Sequence, residues 1–441
     1  MKSHNKKMFT LLAVVLMVNM LFAGCGKSGS DVQVDDERAG DIQLSQAENE
    51  EMVISNEAEQ TSGEESLPTL STTYLTDNMY AQATAFKEGN LSRLAGAMKK
   101  ARDEGEVTVA VIGGSITEGY SASSKANSWA ALFYQWWTEC FPEADVNYVN
   151  AGIGGTSSYL GVHRVEEDVL SHNPDVVVIE FSVNDGAGFF HKKTYDNLVR
   201  RILKHSQDTA VILLFTTQEN GTSAQGDHGL IGFQYELPML SYGNAVLSAI
   251  DAGELKWKDI SPDNIHPNDK GHAIIGEIFY RYLNDVYSRV NELDTATSPF
   301  MDEPVTKETY QDAAFLGADD MEPLSYGSFE KKQVNWHFPD NWYTESGEEA
   351  IVFEVEASHI GLVYQREVNE ACGKFDVYVD GVAVRTIDGN FENGWGTAIE
   401  TVEIFSADET AIHTVEIKKN PDSEGDLFTL IGLLVSKYNG E

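Results

Sequence analysis

The sequence predicts an α/β domain built on a parallel sheet, followed by a C-terminal β-sandwich that is jelly-roll-like. In the first part, four apolar runs are each followed by a polar or Gly-rich turn and a helix-length segment; they are 107–112, 145–149, 176–181 and 210–215. This alternation is typical of a parallel sheet covered on both faces. Beyond about residue 300, short β-rich runs follow one another without helices, at 352–356, 360–364, 374–379, 382–387, 401–405 and 414–418. Such runs are typical of a sandwich.

Residues 1–24 have the features of a lipoprotein signal peptide. Three lysines precede an apolar run over 8–22, which is short for a membrane span, and small residues then lead to Cys25. Leu-Phe-Ala-Gly-Cys resembles a bacterial lipobox, which implies lipidation of Cys25 and a location on the extracellular face of the cell membrane. The alternative is a secreted protein in which Cys25 is an ordinary residue.

Residues 25–70 are predicted to form an acidic, disordered tether. Between residues 26 and 66 there are 12 acidic and two basic side chains and no aromatic ring. Such a composition cannot bury enough apolar surface to offset the entropy of ordering. We therefore expect the folded domains at 71–298 and 299–441, with the membrane contacted only through the lipid anchor.

Within the α/β domain, the turns after the strands are where a ligand is expected, because such folds bind ligands beyond the carboxyl ends of their strands. Asn90 is expected to cap a helix that runs to about Arg102. Asn268 and Asp269 are expected to cap one beginning near His272. Residues 215–244 are expected to form a long loop at the same edge of the sheet.

Charge and cysteine content exclude several classes of function. The chain has 70 acidic and 31 basic residues, a formal charge of −39, and thus lacks the Lys/Arg surplus that nucleic acid binding requires. Three scattered cysteines are too few for a disulfide framework or a cysteine-based zinc site. We expect no metal or organic cofactor, and the oligomeric state is left open.

Ser115 is the candidate nucleophile, because it follows the first strand directly in a Gly-Gly-Ser turn. A serine acts in this way when a base removes its proton and amide donors meet the oxyanion. The alternative role for Ser115 is to cap the following helix.

The candidate base is His266 in Asp263-Asn-Ile-His-Pro267. A carboxylate three residues earlier can reach Nδ1 and leave Nε2 facing the serine, although Asp263 could also serve only a turn. His272 and His228 are the competing bases. We rank His272 lower because it lies within a helix pattern, and His228 lower because its loop has no carboxylate at this spacing.

Gly155 and Asn184 are the candidate donors to an oxyanion. Gly155 has no side chain to keep its N–H from a substrate carbonyl, and Asn184 offers an amide after the third strand. Each could equally serve only a turn.

Together these residues identify a resemblance to the SGNH branch of the GDSL hydrolases over roughly residues 85–290. The four blocks occur in the family's order: Gly113-Gly-Ser-Ile-Thr117, Asn150-Ala-Gly-Ile-Gly-Gly155, Ser182-Val-Asn-Asp185 and Asp263-Asn-Ile-His-Pro267. The resemblance implies a flavodoxin-like three-layer α/β/α fold, a triad of Ser115, His266 and Asp263, and an oxyanion hole of the Ser115 and Gly155 N–H groups with Asn184. Gly114 and Ser182 depart from the family's usual aspartate and glycine.

A Gly-Gly-Ser turn and a long β-rich appendage resemble secreted carbohydrate acetyl esterases more than lipases. We therefore expect an esterase that removes O-acetyl groups from polysaccharides or oligosaccharides, with Gln218, Tyr235 and Trp395 as candidate sugar contacts. Two alternatives remain: an O-acetyl esterase acting on peptidoglycan or a surface polymer, and a glycan-binding lipoprotein without activity.

Overall fold

Five parallel strands form the first sheet of the chain, which a computed structural model describes over residues 67–296, 303–338 and 340–438. They are β1 (Glu106–Gly113), β2 (Asp145–Gly152), β3 (Val176–Glu180), β4 (Ala210–Phe215) and β5 (Met239–Ser241). The predicted signal peptide, Cys25 and most of the predicted tether lie outside the described residues.

The strand order is β2-β1-β3-β4-β5, which is the flavodoxin-like order. This confirms the predicted α/β fold. Alternate residues of β1 face opposite sides, so that Val109 and Val111 join one hydrophobic core while Ala110 and Ile112 join the other. The connection reverses direction between β1 and β3, where such folds open a crevice at the carboxyl ends of the strands.

Helices cover both faces of this sheet. They are α1 (Asp77–Ala83), α2 (Ser92–Glu104), α3 (Ser115–Glu118), α4 (Trp129–Cys140), α5 (Ser158–Asp168), α6 (Phe189–His205), α7 (Gln225–Gln234), α8 (Tyr242–Asp251), α9 (Trp257–Ile260) and α10 (Asp269–Ser288). None of the helices in the described ranges combines the length and apolar character needed to cross a bilayer.

Three local predictions need correction. Helix α2 is capped at Leu91, and Asn90 instead accepts a hydrogen bond from the Ser92 N–H at 2.9 Å. Asn268 caps α10 as predicted, but the helix begins at Asp269, three residues before His272. The predicted loop over 215–244 contains α7 and the short strand β5, because its Gly-rich segment still places Ile231 in the core.

The C-terminal strands form a second, antiparallel sheet with a core of its own, which confirms the predicted β domain. Its strands are β6 (Ala314–Gly317), β7 (Glu330–Gln333), β8 (Asp340–Thr344), β9 (Ile351–Glu367), β10 (Lys374–Val379), β11 (Val382–Asp388), β12 (Thr397–Lys419) and β13 (Phe428–Ser436). Four of the predicted short runs merge into two long strands, β9 and β12. Register shifts in their pairing mark the bulges that let these strands bend, so one continuous sheet curls around its core.

The second sheet packs directly against the first domain. Val363, Ile431 and Leu434 from this sheet belong to the same core as Tyr159 and Leu198 of α5 and α6. The connecting segment is bonded along α6, where Asn197 hydrogen-bonds Lys307 and Tyr310. Residues of the second sheet also share a cavity lining with Ser115 and Asn184, which follow β1 and β3, so part of this sheet faces the carboxyl ends of the first sheet's strands. The predicted boundary at 298/299 falls in the undescribed stretch 297–302 and stays a prediction.

Candidate active site

Ser115 and His266 lie within hydrogen-bond distance although 151 positions separate them in the chain. The Ser115 Oγ is 3.0 Å from His266 Nε2. Ser115 is the first residue of α3, directly after β1, and its side chain is largely buried. A serine hydroxyl whose proton faces an imidazole nitrogen can be activated for attack on a carbonyl carbon.

Asp263 orients the imidazole from the other side. Its Oδ2 is 2.8 Å from His266 Nδ1, and its Oδ1 accepts hydrogen bonds from the N–H groups of Ile265 and His266, both at 2.7 Å. Burial acts to raise the Asp263 pKa, but hydrogen bonds from the backbone and ring of His266 and from Ile265 outweigh it and hold that pKa below its usual value. The carboxylate therefore stays ionised and fixes the proton of His266 on Nδ1.

The two competing histidines occupy other places. His272 is buried between the Tyr120 carbonyl and the Trp129 N–H, and burial lowers its pKa to about 4. His228 lies on α7, and its Nε2 is 3.0 Å from Asp185 Oδ2. This carboxylate comes from the turn after β3 and not from the segment around His228, so no spacing in the sequence could show the pair. Neither histidine lines the cavity that contains Ser115.

Gly155 and Asn184 both line that cavity beside Ser115. Gly155 has φ of +72°, where an L side chain would be strained, yet space for a Cβ is open there. Glycine is therefore needed at 155 for its backbone conformation and not, as predicted, because a side chain would have no room. A Cβ on Gly114 would lie 2.3 Å from Asn184 Oδ1, so glycine at 114 lets the Asn184 amide pack against the nucleophile turn.

A buried carboxylate ties the two donor loops together. Asp185, next to Asn184, accepts a hydrogen bond from the Ser158 N–H at 2.9 Å with one oxygen and contacts His228 with the other. Tyr195 stacks on the His228 ring with centroids 3.5 Å apart. Ser182, the second departure from the family pattern, accepts a hydrogen bond from the Thr216 N–H at 2.7 Å. These contacts make the loop that carries Asn184 rigid.

The cavity has a volume of about 930 Å³ and two walls of different origin. We call the side from the α/β domain the triad wall; it consists of Ser115, Glu118, Tyr120, Gly154, Gly155, Val183, Asn184, Asp263, Asn264, Ile265 and His266. We call the side from the C-terminal sheet the sheet wall; it consists of Val334, Asn335, Trp336, His337, Gln365, Glu367, Trp395, Thr397, Ala398 and Ile399.

Two exposed tryptophan rings lie on the sheet wall. Trp336 and Trp395 are 74% and 77% exposed, although tryptophan is usually well buried. Beside them, Asn335 donates a hydrogen bond to Gln365 at 2.8 Å, and Gln365 donates one to Glu367. Flat rings next to fixed amides and a carboxylate provide both stacking surface and hydrogen-bonding groups for a polar ligand.

Of the three candidate sugar contacts, only Trp395 lines the cavity. Tyr235 is 3% exposed, and its hydroxyl donates a hydrogen bond to Asp196 at 2.6 Å beneath α6. Gln218 lies in a turn, where its N–H donates a hydrogen bond to the Thr222 carbonyl, and it does not line the cavity. His337 was missed as a site residue, and only its aromatic character marked it in the sequence. Trp336 is, like Trp395, one of the aromatic residues of the C-terminal segment that could either stack on a sugar or fill the core, and the structure places it in the cavity lining. The described part of the chain holds no cluster of three or more His, Cys, Asp or Glu side chains suited to a metal.

Comparison with known proteins agrees with this geometry. The GDSL-like Lipase/Acylhydrolase family matches residues 111–274. Two structures of a two-domain esterase (CEX) active on acetylated mannans, one co-crystallized with mannopentaose, are 32% and 33% identical, with TM-scores of 0.75. Each match covers 82% of this chain and 99% of the other. Thioesterase 1/protease 1/lysophospholipase L1 of Escherichia coli K12 is 24% identical over 184 residues, which cover 40% of this chain and 83% of the relative.

Proposed function

The chain belongs to the GDSL-like lipase/acylhydrolase (SGNH) family, and on that premise we propose that it is an esterase that removes O-acetyl groups from polysaccharides or oligosaccharides. The observation that carries the proposal is the hydrogen-bonded series Ser115–His266–Asp263 on one wall of a cavity whose other wall exposes Trp336 and Trp395. The first wall suits ester cleavage, and the second suits a sugar chain.

In the first half of the proposed reaction, Ser115 Oγ attacks the acetyl carbonyl carbon while His266 Nε2 takes the hydroxyl proton. The carbonyl oxygen becomes negatively charged and is bound by the N–H groups of Ser115 and Gly155 and the amide of Asn184. His266 then donates its proton to the sugar oxygen as the ester bond breaks. The sugar hydroxyl leaves, and the acetyl group remains on Ser115.

In the second half, water replaces the sugar. His266 takes a proton from the water, the hydroxide adds to the acetyl carbon, and the same donors bind the oxyanion. Collapse returns the proton to Ser115 Oγ and releases acetate. Asp263 stays ionised throughout and stabilises the imidazolium that forms twice in each cycle.

The sheet wall supports a carbohydrate as the alcohol part of the substrate. Tryptophan rings offer flat apolar faces to the C–H face of a pyranose ring, and Asn335, Gln365 and Glu367 offer partners for hydroxyl groups. A cavity of about 930 Å³ is larger than an acetyl group alone requires. Because the two-domain relative acts on acetylated mannans and shares both domains, we propose acetylated mannan as the first substrate to test.

The test is acetate release from acetylated mannan, xylan, pectin and peptidoglycan by the chain without residues 1–66, because Pro68 and Leu70 contact the folded domain. Ser115→Ala serves as the inactive variant. Ser171→Ala is the matched control, because Ser171 is exposed and its hydroxyl bonds only the neighbouring Glu167 carbonyl. We expect release from mannan by the wild type and by Ser171→Ala, and none by Ser115→Ala.

Release from peptidoglycan alone would instead favour the envelope esterase. If no polymer and no aryl acetate is hydrolysed, the esterase proposal is wrong and the glycan-binding alternative is favoured. Thermal unfolding of all variants separates loss of chemistry from loss of fold.

We further propose that Cys25 carries a lipid that holds the enzyme at the extracellular face of the membrane. The support is the sequence alone, namely the lysines, the apolar run and the small residues before Cys25. Cys25→Ser in the full chain should move the protein from the membrane fraction to the medium. An unchanged distribution would contradict lipidation.

A further inference from the structure

Glu118 occupies a position that the reaction above does not use. It is the last residue of α3, three residues after the nucleophile, and its carboxylate lines the cavity. Its Oε2 accepts a hydrogen bond from the Gly154 N–H at 2.7 Å. Burial raises the pKa of Glu118, although the Gly154 hydrogen bond opposes this rise. A half-buried carboxylate beside a catalytic serine calls for an explanation, because it adds negative charge where an oxyanion forms.

The Gly154 N–H is one of the points that fix the loop carrying Gly155. The loop leaves β2 at Gly152, and the Ile153 N–H donates to the Gly113 carbonyl at 3.1 Å. Gly154 then lies against Ser115: a Cβ built on Gly154 would be 3.7 Å from the Ser115 Cβ. Hydrogen bonds fix the N–H groups of Ile153 and Gly154. They therefore restrict the direction in which the following N–H, that of Gly155, points.

The second oxygen of Glu118 faces the C-terminal sheet. His337 Nε2 lies 3.6 Å from Glu118 Oε1, and the His337 side chain is 12% exposed. The Trp336 ring covers the His337 ring, with ring centroids 3.4 Å apart. The backbone N–H of His337 donates a hydrogen bond to Asn335 Oδ1 at 2.9 Å. The sheet wall thus packs a fixed imidazole against the carboxylate that holds the oxyanion loop.

We propose that Glu118 is a positioning residue for the Gly155 N–H and that His337 restrains Glu118 from the C-terminal sheet. The inference rests on the proposed esterase function. It makes the C-terminal sheet part of the catalytic apparatus as well as of the substrate surface. It also gives the carboxylate beside the serine a role: the hydrogen bond that it accepts helps to place the Gly155 N–H, a donor whose effect on the oxyanion depends on its direction.

The test separates positioning from sugar contact by means of a small substrate. In kinetics with 4-nitrophenyl acetate, Glu118→Ala should lower kcat by about tenfold with KM changed less than about twofold, since a misplaced donor weakens the transition state. Glu118→Gln should recover most of this loss, because the amide oxygen can still accept the Gly154 hydrogen bond. Unfolding temperatures of both variants check that the fold is kept.

His337 is tested by a double-mutant cycle. His337→Ala should lower kcat by about threefold alone and add nothing in the Glu118→Ala background, because both act through one contact. His413→Ala is the control, since His413 lies in the same sheet, has its own partner in Asp380 and does not line the cavity.

The outcomes are distinct from those of the proposed function. If the wild type hydrolyses neither the aryl acetate nor any acetylated polymer, the esterase proposal itself fails. If the wild type is active but Glu118→Ala retains its kcat, or Glu118→Gln is as slow as Glu118→Ala, the positioning role is wrong. If Glu118→Ala changes only KM for acetylated mannan, Glu118 is a sugar contact and the positioning role is likewise wrong. Independent losses from His337→Ala and Glu118→Ala would remove the link between the two residues.

Discussion

The two walls of the cavity differ in how the chain builds them. The triad wall gathers turns that follow parallel strands, and His266, Asp263 and Glu118 in it are held by short hydrogen bonds. The sheet wall consists of the ends of β9 and β12 and of the loops that carry Trp336 and Trp395. Its two tryptophan rings are exposed, whereas Asn335 and Gln365 are buried. Under the proposed function, the fixed groups of the first wall serve the reaction and the exposed rings of the second serve the choice of substrate.

The largest expected effect lies in the triad wall. His266→Ala should lower kcat by about 10⁵-fold, and Asp263→Asn by about 10³- to 10⁴-fold, because His266 transfers the proton while Asp263 orients it. Steady-state kinetics with an aryl acetate measures both. A larger loss from Asp263→Asn than from His266→Ala would contradict these roles.

Gly155→Ala should have the next largest effect, and mainly on kcat. Alanine at φ of +72° is strained, so the loop should shift and misplace the N–H that meets the oxyanion. We expect kcat to fall by about 10- to 100-fold with a smaller change in KM. Gly226→Ala is the control, because a Cβ there meets nothing within 4 Å and φ is ordinary. A change in KM alone would remove Gly155 from the oxyanion hole.

Removing either tryptophan ring of the sheet wall, by Trp336→Ala or Trp395→Ala, tests the proposed contact with sugar. Each should lower kcat/KM for acetylated mannan by about tenfold, or roughly 1.4 kcal/mol, with a much smaller loss for an aryl acetate too short to reach both rings. Phe189→Ala is the matched control, because that exposed ring lies outside the cavity. Equal losses on both substrates would show that the rings support the triad wall and do not contact sugar.

The smallest effect on turnover is expected at Glu180, which lies beneath the nucleophile turn and bonds Thr117 and Thr216. Burial raises the pKa of Glu180 to about 7, so the folded state favours the neutral acid. Its contribution to stability is therefore complete below its unfolded pKa and is lost as pH rises through about 7.

Glu180→Gln mimics the neutral acid and should be more stable than the wild type at high pH. The advantage should grow between pH 5 and pH 8 and reach up to about 3 kcal/mol. Denaturant unfolding at several pH values measures it. A constant difference across that range would show that Glu180 does not titrate there.

The fold and the triad wall were predictable because their signals are local. An apolar strand, a Gly-rich turn and a carboxylate three residues from a histidine are short patterns, and the parallel sheet brings the ends of β1 and β3 together. The Asp185–His228 pair was not predictable, because Asp185 lies in the turn after β3 and His228 on α7, 43 positions later in the chain.

The sheet wall was only partly predictable. Trp395 stood out in a Gly-flanked loop, but Tyr235 was misplaced, because its ring packs in the core and its hydroxyl bonds a buried carboxylate, that of Asp196. His337 reaches Glu118 only after two domains pack against each other. The strand pattern of either domain alone contains no information about that contact.

The most direct test of the proposed mechanism is to trap the covalent intermediate, in which the acetyl group is attached to Ser115. Asp263→Asn, in which turnover should be slow, would be mixed with acetylated manno-oligosaccharide, quenched within seconds, digested and analysed by mass spectrometry. We expect one acetyl group on Ser115, and none when Ser115→Ala is treated in the same way. An acetyl group on another residue, or acetate release that persists in Ser115→Ala, would contradict the proposed mechanism.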